Sequence, residues 1–444
     1  TLTGEGMYSL VEDRDVVNTW MERYGVRFGI YKNGTFREQL FPFDAIPRVI
    51  SAKDWLRLEK GLKQRVETLN LILADIYGPC HILKNGIIPG DFVFSSRGYL
   101  PQCRGITPPF GVAAHIAGID LVQAEDGSWF VLKDNLRLPS GASYPMIART
   151  ITKRVNPETF SVNDVADNSD YPQMLKSIMD LMNGGRGLNV ILTPGRYNSS
   201  FFEHSYLAER MGATLAFPGD LMVDGNELYY RGLFKKWLRV GAVYRRIPDE
   251  DLDPLIFQPD SLLGVPGIMH VYAAGNTAII NAPGNGVADD KGVYYFVPKM
   301  IRYYLGEEPI LQNAPTYLPY YAKDRDYILK NLQKLVIRDV RGAGGYGTMF
   351  GRDFTVGKLG ELKRLIRQDP RRWIAQEVIN FRELECLGGQ ATVMRKAALR
   401  AFVLSGRDTV VWKSGLTRFS GKENSFMVSS AQGGGFKDTW VLNS

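Results

Sequence analysis

The chain has 444 residues, 45% of them hydrophobic and 11% aromatic, which suits two to four domains or one large composite. Its formal net charge is +7, but lysine and arginine are spread along the sequence without a block of five or six, which argues against a nucleic-acid partner and favours phosphate-bearing small molecules. The three cysteines form no metal or disulfide pattern. No apolar run is long enough to span a membrane, and the first residues show no signal peptide. We therefore expect a cytoplasmic protein without a membrane partner.

The first two thirds of the chain alternate between helical and strand-like patterns. Residues 53–77 carry an amphipathic helical pattern, short strand-like runs follow to about residue 155, and residues 156–180 predict a polar connection plus one helix. Residues 187–193 are typical of a buried strand, and a helix from Ser200 to Met211 and a strand at 213–216 follow. This strand–helix–strand order, continued by the apolar run at 240–244, is typical of a parallel α/β domain.

A third region begins near residue 285, where Asp289-Asp290-Lys291 predicts the start of a helix. An apolar strand then ends at Arg338, a glycine-rich stretch follows, and a helix at about 358–368 leads to an apolar run at 373–379 and a strand at 399–404. These parts suit a cleft for adenine and phosphates, in which apolar walls hold the base and arginine and lysine hold the phosphates.

The glycine-rich stretch at 338–351 holds five glycines in fourteen residues. Glycine loses more conformational entropy on folding than any other residue, so such a cluster needs a reason. One interpretation is a β-hairpin turn with positive-φ corners. The other is a loop whose N–H groups close over phosphates. The loop residues alone do not choose between the two.

Two strand-like runs, at 118–122 and 129–135, are joined by a turn with an Asp126-Gly127 signal. Antiparallel pairing of these runs brings Asp120 beside Asp134 and Asn135. Carboxylate and amide oxygens at one point suit Mg²⁺, which prefers oxygen ligands and shares them with nucleotide phosphates. An ordinary hairpin with a polar end is the alternative, and these residues alone favour it.

Other polar residues are candidates for substrate binding. The loop at 137–144 combines small and basic groups, including Arg137 and Ser140, and suits a bound anion. Glu203 and His204, in the helix after Pro194, are candidates either for substrate binding or for a structural role. The pair Arg245 and Arg246 follows a strand of the α/β domain, where it either faces a cleft and binds a substrate carboxylate or forms a solvated basic turn.

Taken together, motifs along nearly the whole chain resemble the circularly permuted ATP-grasp proteins of the glutathionylspermidine-synthase-like type. The N-terminal motifs are Phe41-Pro42-Phe43-Asp44, Ile116-Ala117-Gly118-Ile119-Asp120 and Asp134-Asn135-Leu136-Arg137-Leu138-Pro139-Ser140-Gly141. The later ones are Thr193-Pro194-Gly195-Arg196-Tyr197-Asn198-Ser199, Phe202-Glu203-His204, Val243-Tyr244-Arg245-Arg246, Gly286-Val287-Ala288-Asp289-Asp290-Lys291, the glycine-rich stretch and Gln432-Gly433-Gly434-Gly435-Phe436.

The resemblance implies an α/β (α+β) architecture: a circularly permuted ATP-grasp fold with an inserted Rossmann-like pre-ATP-grasp domain. It implies a metal-binding half at 1–155, the Rossmann-like domain at 186–284 and a nucleotide-binding half at 285–444. It also implies an ATP- and Mg²⁺-dependent ligase that activates a small-molecule or peptide carboxylate as an acyl phosphate, which an amine then attacks. Catalysis of this kind rests on neutralising the charge of the transferred phosphoryl group.

The resemblance assigns roles by position. Lys291 and Arg338 would contact phosphates, and the segment Gln376, Glu377 and Val378 would be the hinge against adenine. Arg400 would face the γ-phosphate or the acyl phosphate. Asp120 and Asn135, with Asp134 as a further candidate, would hold Mg²⁺. The flap over the phosphates would be formed by Gly342, Gly344, Gly345 and Gly347.

The sequence departs from the family pattern at four positions. Lys133 replaces the acid that usually precedes Asp134 and Asn135, Arg338 replaces a lysine, Ala398 replaces an aspartate and Ser429 replaces an asparagine. The change at 338 keeps the charge, whereas Lys133 would compete with a metal ion or contact phosphate itself. A catalytically weak protein that binds nucleotide or peptide is therefore the alternative to an active ligase.

Overall fold

The computed structural model describes residues 14–32, 35–155, 157–340, 348–388, 391–423, 425–428 and 434–444. The helices in these ranges are α1 (Arg14–Arg23), α2 (Ala52–Tyr77), α3 (His81–Lys84), α4 (Gly90–Phe94), α5 (Ser143–Val155), α6 (Pro157–Ser161), α7 (Tyr171–Asn183), α8 (Phe201–Met211), α9 (Asp249–Leu252), α10 (Ile268–Ala273), α11 (Lys291–Tyr294), α12 (Val297–Leu305), α13 (Ala322–Asn331) and α14 (Val356–Gln368).

The strands lie between these helices. They are β1 (Arg27–Lys32), β2 (Thr35–Leu40), β3 (Phe43–Ile50), β4 (Ile116–Gln123), β5 (Trp129–Asn135), β6 (Leu188–Leu192), β7 (Thr214–Ala216), β8 (Leu221–Asp224), β9 (Glu227–Arg231), β10 (Trp237–Arg245), β11 (Ala278–Ile280), β12 (Gln312–Asn313), β13 (Thr316–Tyr317), β14 (Leu335–Asp339), β15 (Thr348–Phe350), β16 (Trp373–Glu377), β17 (Glu383–Leu387), β18 (Thr392–Ser405), β19 (Thr409–Phe419) and β20 (Gly435–Val441).

The largest sheet combines strands from the two ends of the chain. Its order is β12-β5-β4-β18-β19-β20-β3, and β17 also pairs with β18. The predicted hairpin is present, since β4 and β5 pair antiparallel. On its other side β4 pairs antiparallel with β18, a strand almost 300 residues later in the chain. This sheet therefore places N-terminal and C-terminal residues side by side.

The long helix α2 packs against the core that this sheet shares with α12. It begins at Ser51, whose hydroxyl accepts a hydrogen bond from the N–H of Asp54 at 3.1 Å, and it ends before Gly78. Leu58, Leu62, Val66 and Leu69 are fully buried, and their spacing of three to four residues places them on one face of the helix. No helix in the described ranges has the length and apolar composition needed to cross a membrane.

A second sheet forms the central α/β region. Strands β7, β6, β10 and β11 lie parallel, and β8 and β9 extend the sheet through the antiparallel pairing of β9 with the start of β10. The predicted strand–helix–strand order is present as β6, α8 and β7. The central residues of the parallel strands are apolar because both faces of this part of the sheet are covered.

A third, four-stranded sheet has the order β13-β16-β14-β15. Helix α14 packs on it, and Leu359, Leu362 and Ile366 share a core with Leu335 and Ile337. The strands β14 and β16 pair antiparallel, with Arg338 opposite Ile374 and Val336 opposite Gln376. The architecture is thus mixed α/β with several sheets, as predicted.

Candidate active site

A cavity of about 410 Å³ is lined by residues of both the largest sheet and the four-stranded sheet. Most of the side chains that the sequence pointed to line it, although they come from distant parts of the chain. The predicted residues in its lining are Asp120, Asn135, Ser140, Lys291, Arg338, Gln376, Glu377, Val378 and Arg400.

Charged side chains form a row across the largest sheet at one end of this cavity. Asp120 of β4 lies directly opposite Lys133 of β5 on one side and Arg400 of β18 on the other. Directly opposed residues in a sheet point to the same face, so the three side chains share the cavity face. Arg418 of β19 joins them diagonally, since it pairs with Ala398 two residues before Arg400.

Asp120 is held by these neighbours. Arg400 Nε and Nη2 donate to its two carboxylate oxygens at 2.7 and 2.9 Å, and Arg418 Nη2 donates to Oδ1 at 3.1 Å. Asn135 Nδ2 donates to Asp120 Oδ2 at 3.1 Å. Burial raises the pKa of Asp120, but the charges of Arg400, Arg418 and Lys133 outweigh it and hold this pKa well below its usual value. Asp120 is therefore ionised at neutral pH.

The structure corrects the candidate role of Asp134 as a metal ligand. Successive side chains of a strand point to opposite faces, so Asp134 points away from the face that carries Lys133 and Asn135. It is 1% exposed and accepts two hydrogen bonds from Arg65 of α2, at 2.6 and 2.7 Å. Asp134 therefore anchors α2 to the sheet and does not line the cavity.

Two further cations come from the later part of the chain. Helix α11 begins at Lys291, and Asp290 caps it by accepting from the N–H of Gly292 at 2.7 Å. Lys291 Nζ donates to the carbonyl oxygen of Asp339 at 2.9 Å, at the end of β14. Burial, followed by repulsion from Lys133 and Arg338, lowers the pKa of Lys291 to about 8.

Arg338 lies on β14 and faces the same group of cations. Its Nε is buried and has no hydrogen-bond partner among the described residues. Burial lowers the pKa of Arg338, which the neighbouring Tyr294 and Asp120 only partly offset. A buried guanidinium N–H without a partner is costly, so this arrangement suits an anion bound in the cavity.

The segment predicted as a hinge ends strand β16 at the other end of the cavity. Gln376 is buried and its Nε2 donates to Thr316 Oγ1 at 3.0 Å, while Glu377 Oε1 accepts from Tyr317 and Tyr327 hydroxyls at 3.0 and 2.7 Å. Val378 follows the strand and lines the cavity together with Phe381 and Phe426. The lining here is apolar, in contrast to the cationic end.

A second cavity of about 760 Å³ adjoins the first, because Lys133 and Lys291 line both. Arg137 lines this second cavity and not the first, and its Nη1 contacts Glu250 Oε2 at 3.2 Å. Ser140 lines the first cavity, where its carbonyl oxygen accepts from Arg400 Nη1 at 3.1 Å. The loop from Arg137 to Ser140 thus contributes to both cavities.

Four candidate substrate-binding residues do not line either cavity. Glu203 accepts from the N–H groups of Gly141 and Ser143 at 2.7 and 3.1 Å, and Gly141 has φ +110°. Arg246 Nη1 donates to the carbonyl oxygen of Pro139 at 2.8 Å. Both side chains are buried and bonded to the loop that carries Ser140, so they position this loop.

His204 and Arg245, the other two of these candidates, are also bonded inside the protein and line neither cavity. His204 Nδ1 lies 2.8 Å from Thr193 Oγ1, and burial lowers the pKa of this histidine well below its usual value. Arg245 is fully buried, donates to the carbonyl oxygens of Asn281 and Ile247 and pairs with Asp249 at 2.9 Å. It is neither at a cleft nor in a solvated turn.

Sequence reasoning missed Arg418, Arg97 and Arg65. Arg418 completes the cationic end of the first cavity and Arg97 lines the second. Arg65 pairs with Asp134 inside the protein. Nothing in the local sequence distinguishes these three from ordinary surface arginines.

The residues of this cavity do not fit the magnesium site that the ATP-grasp resemblance implies. In the described part of the chain, no group of three or more histidine, cysteine, aspartate or glutamate side chains is arranged to hold a metal ion. Asp120 is engaged by two arginines, and the neighbouring position on β5 carries a lysine. Mg²⁺ needs near-octahedral oxygen ligation, which this set does not supply.

The glycines predicted to form a phosphate flap, Gly342, Gly344, Gly345 and Gly347, lie outside the described residues, as does Ser429. Their roles stay predictions. Ala398, where the family pattern has an aspartate, is buried and packs with Val122 and Phe381. Position 398 therefore lies in a cluster of apolar side chains.

The family model for circularly permuted ATP-grasp type 2 proteins matches residues 47–420. The chain belongs to this family. Membership supports an ATP-dependent ligase in general, because the family's defining fold is the ATP-grasp fold that the resemblance predicted.

The chain is also similar to curated proteins and to a solved structure. An uncharacterized protein of Synechocystis sp. is 46% identical over 422 residues, covering 94% of this chain and 88% of that protein. A Frankia casuarinae protein named "Putative glutamate--cysteine ligase 2-2" is 37% identical over 413 residues, covering 92% of this chain and 48% of that protein.

One similar solved structure is a glutathione synthetase-like effector from Globodera pallida in its apo form. It is 12% identical and has a TM-score of 0.63, with 98% of this chain and 97% of that chain covered. At this identity the likeness concerns the fold alone. It agrees with the mixed α/β architecture.

Proposed function

We propose that this ATP-grasp protein is an ATP-dependent carboxylate–amine ligase that acts through an acyl phosphate. The observation that carries the proposal is the convergence of Lys291, Arg338 and Arg400 on one cavity whose other end is apolar and formed by the segment after β16. Cations at one end suit a triphosphate, and an apolar end suits a base. ATP is the cofactor of this proposal.

The proposed reaction has two steps. An oxygen of the substrate carboxylate attacks the γ-phosphorus of ATP, the bond from that phosphorus to the bridging oxygen breaks, and ADP leaves. The amine nitrogen then attacks the acyl carbon, the carbon–oxygen bond to phosphate breaks and the nitrogen loses a proton. The products are an amide, inorganic phosphate and ADP, and Arg400 neutralises charge on the transferred group.

The second cavity is the proposed binding place of the acid. Arg97 and Arg137 line it, and the guanidinium group of an arginine binds a carboxylate through bidentate hydrogen bonds. Lys133 and Lys291 lie between this cavity and the first, so a carboxylate there would adjoin the γ-phosphate. The name of the Frankia casuarinae relative makes glutamate the first acid and cysteine the first amine to test.

The experiment measures ADP release from ATP with pools of amino acids and short peptides, and it identifies the product by mass spectrometry. With an acid labelled with ¹⁸O in its carboxylate, one ¹⁸O is expected in the phosphate released. Arg400→Lys is expected to lower the rate by about tenfold or more, because lysine cannot reproduce the paired contact. Arg407→Lys, an exposed change at the turn after β18, is the matched control.

ADP release that needs no acid, or phosphate without the label, would contradict an acyl-phosphate ligase. The second candidate function is a catalytically weak protein that binds nucleotide or peptide. Lys133 and Ala398 favour it, since both differ from the family pattern at the cavity. Tight ATP binding with no turnover for any acid and amine pair would support this second candidate.

A further inference from the structure

The cavity carries more positive charge than a magnesium–nucleotide complex needs. Five cationic side chains line it: Lys133, Lys291, Arg338, Arg400 and Arg418. Asp120 and Glu377 are the carboxylates in the described lining, and Glu377 is at the hinge end, held by two tyrosine hydroxyls. In the described lining, the cationic end therefore has one carboxylate and five positive charges. On the side of the second cavity, Asp289 also attracts Lys133, and Asp290 and Asp339 attract Lys291.

That single carboxylate is already fully engaged. Asp120 Oδ1 accepts from Arg400 and Arg418, and Oδ2 accepts from Arg400 and Asn135. A metal ion bound by Asp120 would have to displace at least one of these donors. Arg400 and Arg418, which lie 2.7 and 3.1 Å from the Asp120 carboxylate, would also repel a divalent cation bound there.

Lys133 occupies the position where another ligand would be needed. It lies opposite Asp120 across β4 and β5, and it lines both cavities. Within the ranges that the structure describes, its ammonium group has no hydrogen bond or ion pair of its own. A partly buried ammonium group at the meeting point of two cavities is available to a bound anion.

We propose that Lys133 takes the place of a metal ion, so that this cavity binds the nucleotide as a free polyanion and does not require Mg²⁺ for binding. The inference rests on the proposed function in one respect, the assignment of the cavity to ATP. Free ATP carries about four negative charges at neutral pH, and its magnesium complex about two. The described lining of the first cavity, with five cations and one carboxylate at its cationic end, suits the free form better than the magnesium complex.

The test measures binding of a non-hydrolysable ATP analogue by calorimetry, once in EDTA and once in excess Mg²⁺. The wild-type protein is expected to bind in EDTA at least as tightly as in Mg²⁺. Lys133→Glu is expected to bind about tenfold or more weakly in EDTA and to regain affinity in Mg²⁺, because it removes a cation and adds a metal ligand. Lys133→Met is expected to bind more weakly in both, by similar factors.

Lys53→Glu is the matched control, since it makes the same change of two charge units at an exposed lysine of α2 that lines neither cavity. It is expected to behave as the wild type. A wild-type protein that binds the analogue only with Mg²⁺ would overturn the inference and leave the proposed function intact. Failure to bind under either condition would overturn the assignment of the cavity to ATP, and the inference with it.

Discussion

Lys291 has an ammonium group beside two other cations, Lys133 and Arg338, at the border of the two cavities. Its neighbours of opposite charge, Asp290 and Asp339, do not fully compensate for burial and repulsion, so its pKa falls to about 8. A bound phosphate would supply the missing negative charge and raise this pKa again. In the free protein Lys133 and Arg338 therefore repel the Lys291 ammonium group, and an anionic ligand would reduce this repulsion.

Replacing Lys291 or Arg338 by alanine is expected to weaken ATP binding by roughly ten- to a hundredfold, the loss of about 1.5–3 kcal/mol for a charge-assisted contact. The pH profile separates the two residues. Only the protonated form of Lys291 binds phosphate, so wild-type affinity should fall as the pH rises from 7 through 8 to 9. Calorimetry across this range measures both effects.

Arg338→Ala is the control for the pH profile, because Lys291 is still present. The fall should remain but move to higher pH, since Arg338 contributes to lowering the pKa of Lys291. Lys291→Ala should give a flatter profile, although Lys133, whose pKa burial also lowers, contributes its own titration. Wild-type affinity in both variants would mean that ATP binds elsewhere. A profile equally steep in Lys291→Ala would assign the titration to another group.

At the scale of elements, strand ends build the cavity. Strand β14 ends beside Lys291, and β16 ends at the apolar part of the lining. Gln376 and Glu377 are fixed by partners within the protein, whereas Val378 lies just beyond the last residue of β16. We expect the backbone N–H of Val378 to bond the base, because the resemblance gives this segment the role of an adenine-binding hinge.

Val378→Pro is expected to weaken ATP binding by about tenfold while it leaves binding of inorganic tripolyphosphate unchanged. Proline removes the N–H of residue 378, and its fixed φ is compatible with the extended residue before it. Titration of both ligands measures the difference. Equal loss for ATP and tripolyphosphate would point to a general distortion of the cavity and would reject the hinge assignment.

At the scale of the whole molecule, buried charges link elements that are far apart in sequence. Arg65 of α2 bonds Asp134 of β5 with two hydrogen bonds and Asn313 of β12 with one at 2.8 Å. The largest sheet contains strands from residues 1–155 and 285–444, while β6–β11 form their own sheet between them. We therefore retain the three-part division, with the Rossmann-like domain at 186–284, as a proposal.

Arg65→Met is expected to lower the free energy of unfolding by about 3–5 kcal/mol, because it leaves the Asp134 carboxylate buried without its partner. The double variant Arg65→Met with Asp134→Leu should lose less, since no uncompensated charge remains. Urea unfolding measures both values. A double variant less stable than Arg65→Met would show that the two residues do not act as a pair.

Much of the architecture and the chemical character of the site was readable from the sequence. The strand–helix–strand order at β6, α8 and β7, the hairpin of β4 and β5 and the capped start of α11 all follow from local patterns of apolar, turn and capping residues. The sequence also shows that Lys133 departs from the family pattern, because the type of residue at a position is a property of the sequence alone.

Only the tertiary structure decided which of these side chains meet. The sequence offers Asp120 and Asp134 equally as metal ligands, but successive side chains of a strand point to opposite faces. Strand pairing places Asp120 beside Arg400 and Arg418, which are 280 and 298 residues away, while Asp134 faces Arg65. Glu203 and Arg246 similarly proved to hold the loop at 139–143. Long-range strand register and helix packing set these contacts, and no local pattern encodes them because they depend on segments that are distant in the chain.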